Sequence, residues 1–171
     1  MYLIMLQLKD LPTTKVLGKF AERYPDADIT AVSGFLHLLR VATDLSVALD
    51  ACLSKHGLLQ GRWWVLILLM REEDLTSTPS ELAEKAGVSR ATMSGLINGL
   101  LRDGLVARQE DTKDRRSYSI RLTAAGQGKL DEVMPDYYPR VKKMMNAIPE
   151  QQREDLLKQL MLLKEQSKVF D

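Results

Sequence analysis

Apolar residues along this chain recur mostly at helical spacing, with one short interval of alternation. Val16, Phe20 and Tyr24 fall at i, i+4 and i+8, one face of a short helix that Thr13 or Thr14 can cap and that stops before Pro25. That face is too small to be a core, so it is assigned to packing on another subunit or on the body. From Ser33 the pattern is strongly helical: Phe35, Leu38, Leu39, Ala42, Leu45, Leu49 and Cys52 form one stripe, and Gly57 supplies a C-terminal stop. From Gly61 to Glu73 the chain is apolar nearly all round (Trp63, Val65, Leu66, Leu68, Leu69, Met70), as expected of a helix in the centre of a core.

The character changes between about 77 and 123. Ser77-Thr78-Pro79-Ser80-Glu81 reads as a helix start, and the helix Ser80–Ala86 stops at Gly87. Ser89 opens another helix, Ala91 to Arg102, which Gly104 closes. Two short helices joined by Gly87-Val88-Ser89 have the spacing of a helix-turn-helix. The partly alternating runs Leu105–Gln109 and Tyr118–Leu122 flank a charged stretch and predict a β-hairpin, hence a winged helix. Thr123 restarts helix, predicted to be broken or kinked at Pro135 and Pro139, and a last helix begins near Pro149 with Leu156, Leu157, Leu160, Met161 and Leu163 as a broad stripe. The fold class is therefore mainly α with a small β-hairpin wing: a winged helix-turn-helix plus a helical dimerisation region.

On the second helix of the pair, Met93, Leu96, Ile97, Leu100 and Leu101 cluster on one side and should hold it to the domain. The opposite side carries Ala91, Gly95, Asn98 and Arg102, flanked by Thr92 and Ser94. Small, hydrogen-bonding residues permit close approach to a major groove, with Thr92, Ser94, Gly95 and Asn98 against base edges. Ser89 and Arg90, beside the open amides of the first turn, suit phosphate oxygens. The bland alternative is a solvated face on an ordinary core helix. In the hairpin, Lys113, Arg115 and Arg116 concentrate positive charge at the predicted tip, which can enter the negative potential of a minor groove. The alternative there is a solvated loop that protects a strand edge.

Composition narrows the class. The chain has 171 residues, 45% hydrophobic and 27% charged, with 24 Lys+Arg against 23 Asp+Glu, so any nucleic-acid surface must be a local patch. One cysteine, Cys52, excludes a disulfide framework or a Cys-rich zinc site. His37 and His56 belong to no HExxH or carboxylate cluster, and there is no phosphate-loop glycine pattern, so neither a metal site, a cofactor nor catalysis is expected. The longest apolar run, Trp63 to Met70, is far short of the roughly 20 residues that span a bilayer, and the N-terminus lacks a signal-peptide pattern. A soluble, cytoplasmic protein without a membrane partner is the expectation.

Asp114-Arg115-Arg116-Ser117-Tyr118-Ser119-Ile120-Arg121-Leu122-Thr123-Ala124-Ala125-Gly126 resembles the wing signature of the MarR family of bacterial winged-helix regulators. Leu82-Ala83, Val88-Ser89-Arg90-Ala91-Thr92-Met93-Ser94 and Leu100-Leu101-Arg102-Asp103-Gly104-Leu105-Val106 match its helix-turn-helix in order and spacing. The resemblance covers roughly 33–170. It implies a homodimer joined by the first and last helices, each subunit presenting a winged helix to a pseudopalindromic operator in double-stranded DNA. Many relatives are repressors released by small aromatic or phenolic effectors, and some respond to cysteine oxidation. In this resemblance Arg116 takes the minor-groove position and Arg115 a backbone contact. One departure stands out. Relatives usually carry Asp-Arg-Leu late in the recognition helix, the arginine bracing the wing aspartate. Here the positions are Asn98-Gly99-Leu100, leaving Asp114 to pair with Arg116 or another base.

These readings divide the chain into an N-terminal dimer-supporting arm (1–32), a helical dimerisation region (33–58 and 124–171) and a winged helix-turn-helix (59–123). The resemblance places an effector pocket between the dimer helices and the winged helix, with His37, Arg40, Trp63 and Met70 as lining candidates; for Trp63 and Met70 a plain core role is the alternative. Cys52 lies on an apolar stripe, which favours a buried, inert thiol over a redox sensor. Peroxide-sensing relatives carry their cysteine near the start of this helix rather than its end. The rival functions are a winged helix used only for protein interaction and a cysteine-based sensor.

Overall fold

The computed structural model describes residues 8–110 and 118–170, which divide between Val65 and Leu66 into two compact units. In the first, α1 (Thr14–Arg23) starts where the Thr13 hydroxyl oxygen accepts the Val16 amide at 3.3 Å. It packs on α2 (Ile29–Ser54), and its buried residue is Leu17, whereas Val16, Phe20 and Tyr24 are exposed. α2 begins ahead of the expected Ser33 because the Asp28 carboxylate accepts the Ala31 amide at 3.0 Å and caps it there. Its apolar stripe is buried only at the C-terminal end, at Cys52 and Leu53; Phe35 and Leu45 stay exposed. Gly57, at φ +69°, turns the chain into α3 (Gln60–Met70). α2 fixes that start: Asp50 Oδ1 accepts the Gln60 amide and Ser46 Oγ donates to Gln60 Oε1, both at 2.7 Å. Along α3, Trp63, Val65, Leu66, Leu68 and Leu69 are buried, matching the core reading of this helix.

The second unit contains β1 (Thr76–Ser77), α4 (Pro79–Ala86), α5 (Arg90–Arg102), β2 (Val106–Glu110), β3 (Tyr118–Leu122), α6 (Ala124–Met145), α7 (Glu150–Glu165) and a closing 3-10 turn (Gln166–Phe170). The sheet is antiparallel in the order β1-β3-β2. The hairpin expected from alternation is there, with β2 one residue later than expected. The third strand was not foreseen: Ser77, read as part of a helix start, pairs with Ile120, and Thr76 with Arg121. A strand of two residues is too short to alternate, so nothing in its own sequence announces it. Leu75 precedes it at φ +59° and its carbonyl accepts the Leu122 amide at 2.9 Å.

Sheet and helices share a core of Leu82, Met93, Ile97, Leu100, Val106, Ile120, Leu122, Leu130 and Val133. Thr123 ties the hairpin to α6: its hydroxyl donates to the Gly104 carbonyl at 2.8 Å and accepts the Gly126 amide at 3.0 Å. Gly126 sits so close to β2 that a Cβ there would lie 2.1 Å from the Leu105 carbonyl oxygen. α6 is not broken at its prolines. Pro135 and Pro139 lie inside one continuous helix, on exposed positions where the carbonyls of Asp131 and Pro135, deprived of amide partners, can be solvated. Arg153 locks the turn into α7 by donating to the Ile148 carbonyl at 3.2 Å and to Asn146 Oδ1 at 2.9 Å.

Candidate nucleic-acid interface

The helix pair α4–α5 is built from strong local signals. Thr78 and Glu81 form a reciprocal capping box, the Glu81 amide on Thr78 Oγ1 at 3.2 Å and the Thr78 amide on Glu81 Oε2 at 3.1 Å. Ser77, buried, donates to the same carboxylate oxygen at 2.9 Å. The Thr78 backbone bond, with the Ser77 hydroxyl next, holds the Glu81 carboxyl below its ordinary value. Gly87 then closes α4 at φ +64°, and Ser89 caps α5 by accepting the Thr92 amide at 3.1 Å. Between those two caps lies the connecting turn, where the Val88 amide donates to the Ala83 carbonyl at 3.0 Å.

Met93, Ile97 and Leu100 are buried in α5, so the opposite side must face out. Arg90, Ala91, Thr92, Ser94, Gly95, Asn98 and Arg102 are all exposed, as the helical wheel requires. The Ser89 and Thr92 hydroxyl oxygens lie 2.9 Å apart, so one of their two protons is used between them and one is left to donate outward. Together with the unpaired first-turn amides and the helix dipole, that makes a small cluster of donors suited to a phosphate oxygen. At Gly95 a Cβ would meet nothing within 4 Å among the described residues, as at the helical glycines Gly18, Gly34 and Gly128, so the outward face of α5 is open there.

At the outer end of the sheet, Arg108 on β2 stacks over the ring of Tyr118 on β3, its guanidinium carbon 3.8 Å from the ring centroid. The sequence alone does not single out Arg108. The hairpin register carries the missed signal, because Arg108 faces Ile120 and Tyr118 lies two residues further along the same face. Arg121, on the opposite face, is exposed. The predicted tip residues Lys113, Arg115 and Arg116, and Asp114, lie outside the described residues.

The effector candidates do not form a described site. On α2, His37 Nδ1 lies 2.8 Å from the Ser33 carbonyl, which makes Nδ1 the protonated nitrogen and leaves Nε2 outward. Arg40, one helical turn away, is forked onto the exposed Asp44, with Nε 2.8 Å from Oδ2 and Nη2 on Oδ1. An anion would have to displace that carboxylate. Trp63 is 1% exposed and belongs to the core of the first unit; Met70 is exposed and belongs to the second. Cys52 is buried, as its apolar stripe suggested. Among the described residues no cluster of His, Cys, Asp and Glu is placed to hold a metal ion.

Two further surfaces are apolar and open. α7 has no buried residue: Leu157, Leu160, Met161, Leu162 and Leu163 are exposed, and a shallow groove runs between Leu157, Met161 and Leu162 with Glu154, Lys158 and Glu165 on its rims. α2 exposes Val32, Phe35, Val41, Leu45 and Val47. α2 is long and apolar enough to cross a membrane by length and composition alone. A helix that waits for a protein partner passes the same test.

A capped helix-turn-helix, a recognition helix with a small outward face and an antiparallel hairpin define a winged helix-turn-helix regulator. The MarR family model matches residues 56–117. The HTH-type transcriptional repressor YetL of Bacillus subtilis is 32% identical over 165 residues, 96% of this chain and 99% of that one. The chain belongs to the MarR family of transcriptional regulators. Solved structures agree on the fold. Sco3205, a MarR family regulator from Streptomyces coelicolor solved in complex with DNA, has a TM-score of 0.72 at 22% identity, covering 77% of this chain and 86% of that one. CouR from Rhodococcus jostii RHA1, solved bound to p-coumaroyl-CoA, has a TM-score of 0.65 at 23% identity, covering 75% and 89%.

Proposed function

We propose that this protein is a repressor that binds a pseudopalindromic operator as a homodimer, each copy setting α5 into a major groove. The observation that carries this reading is the outward face of α5: exposed, small and hydrogen-bonding, with open space beside its mid-helix glycine among the described residues. Ser89 and Arg90 take phosphates; Thr92, Ser94, Gly95 and Asn98 face bases; Lys113 and Arg115 add backbone contacts and Arg116 enters the minor groove. Two copies meet through α2 and α7, whose exposed leucines, valines and methionines are unsuited to permanent contact with water. The arm, residues 1–32, adds Phe20 and Tyr24 to that contact. Sco3205 in complex with DNA supports the first half of this reading, because its fold is the same.

Release by a small aromatic or phenolic effector completes the proposal, supported by the p-coumaroyl-CoA held by CouR. His37 and Arg40 are the polar candidates on α2; Trp63 acts through the core rather than as an open wall, and Met70 is an exposed apolar candidate. The protein works in the cytoplasm, where its operator is. Nuclease footprinting on the DNA upstream of the protein's own gene tests the reading. Two protected half-sites about 10 bp apart, or a multiple of that, are expected. No protection at low salt would favour a winged helix that binds only proteins.

A further inference from the structure

We infer that Arg108 and Tyr118 are positioning residues for DNA binding: their stack ties the outer ends of β2 and β3 together and so sets the direction in which the chain leaves the sheet toward its basic segment. The inference rests on the DNA-binding reading above. Arg108 faces Ile120 and Glu110 faces Tyr118, so the guanidinium crosses diagonally from one strand to the other just inside the last pair of the ladder. Val106, Ile120 and Leu122, on the same face, are buried, and beyond Ile120 the apolar column ends. Arg108 and Tyr118 stand at that end. A guanidinium carbon 3.8 Å from a ring centroid is well within the range of a cation–π contact. Two-stranded ribbons twist more than wide sheets, and among the described residues β1 pairs with β3 at Ile120 and Arg121, with no third strand beside this last pair. The seven residues that follow, Asp111 to Ser117, hold Lys113, Arg115 and Arg116. The contact therefore joins the two strand ends between which that segment lies in the sequence. An arginine held over a ring is also drawn away from acting as a mobile phosphate clamp, which makes its role that of a brace.

Anisotropy titrations of a labelled duplex from the upstream region, over a salt series and below the melting temperature of every variant, test this. Arg108→Leu and Tyr118→Leu should each weaken binding about two- to fivefold, the double variant no more than the weaker single, and Tyr118→Phe should bind like the wild type because the ring face suffices. Wild-type affinity in Tyr118→Leu, with a salt slope lowered by about one in Arg108→Leu alone, would make Arg108 a direct phosphate contact and overturn the brace. Lowered melting temperatures at unchanged affinity would overturn it as well, leaving only a structural pair. A wild type that does not bind the duplex at low salt would instead overturn the regulator reading itself, and the brace with it.

Discussion

Replacing Gly95 with alanine should move stability and DNA affinity in opposite directions. Glycine in a helix interior is less stable than alanine by about 0.5–1 kcal/mol, since it has more backbone freedom to lose. The new methyl would stand in open space, with no heavy atom within 4 Å, so no clash offsets that gain. For a domain of this size about 1 kcal/mol corresponds to roughly 2–4 °C in melting temperature, so Gly95→Ala should melt up to a few degrees higher. In the proposed complex the same methyl would project from α5 toward the groove. Overfilling a close contact costs about 1–3 kcal/mol, roughly a 5- to 150-fold loss of operator affinity. Calorimetry and anisotropy on the same preparation measure both. A variant that is more stable and binds the operator unchanged would refute the placement of Gly95 at the DNA; one that melts lower would refute the outward orientation of α5.

Other changes test other parts of the molecule. Gly126→Ala forces a Cβ to 2.1 Å from the Leu105 carbonyl and 2.6 Å from Leu122 Cδ1, and should cost about 3 kcal/mol, a fall in melting temperature of order 6–12 °C. Thr78→Ala removes the α4 cap and should cost about 1 kcal/mol in denaturant titrations near neutral pH. Glu81 has its folded pKa below the ordinary 4.5, so the stability it contributes is present above that value and is lost as pH falls through the lower folded one. Glu81→Gln, which removes the titrating group, should accordingly flatten the acid limb of the stability curve, and an unchanged acid limb would contradict the capping role. Leu157→Glu with Met161→Glu changes only exposed side chains of α7, so it should leave helix content intact while converting a sedimenting dimer to monomers; a dimer that persists would move the interface elsewhere.

The elements were legible where polar residues mark their ends. Thr13, Thr78, Ser89 and Thr123 each stand one residue ahead of a helix and accept an amide from its first turn. The outward face of α5 was legible too, because 3.6-residue periodicity fixes which side chains oppose Met93, Ile97 and Leu100. What escaped reading depends on partners distant in sequence or on solvent. β1 exists only because β3 pairs with it, and the Arg108–Tyr118 stack only because the hairpin register sets one residue diagonal to the other. The start of α2 was placed late because Asp28 caps a turn, Ile29–Val32, that lacks clear amphipathic spacing. Pro135 and Pro139 suggested a break, yet the helix tolerates them on a face open to water. The effector candidates were the least legible: Arg40 offers a cation by sequence, and only the fold reveals that Asp44 already holds it.

In the proposed complex two copies of this chain read one duplex through phosphates and grooves. Sedimentation of a labelled upstream duplex with the protein at increasing salt measures stoichiometry and charge dependence together. Two chains per duplex are expected, with log affinity falling linearly against log salt at a slope of about −0.9 per phosphate neutralised. A single chain per duplex, or binding indifferent to salt, would contradict it.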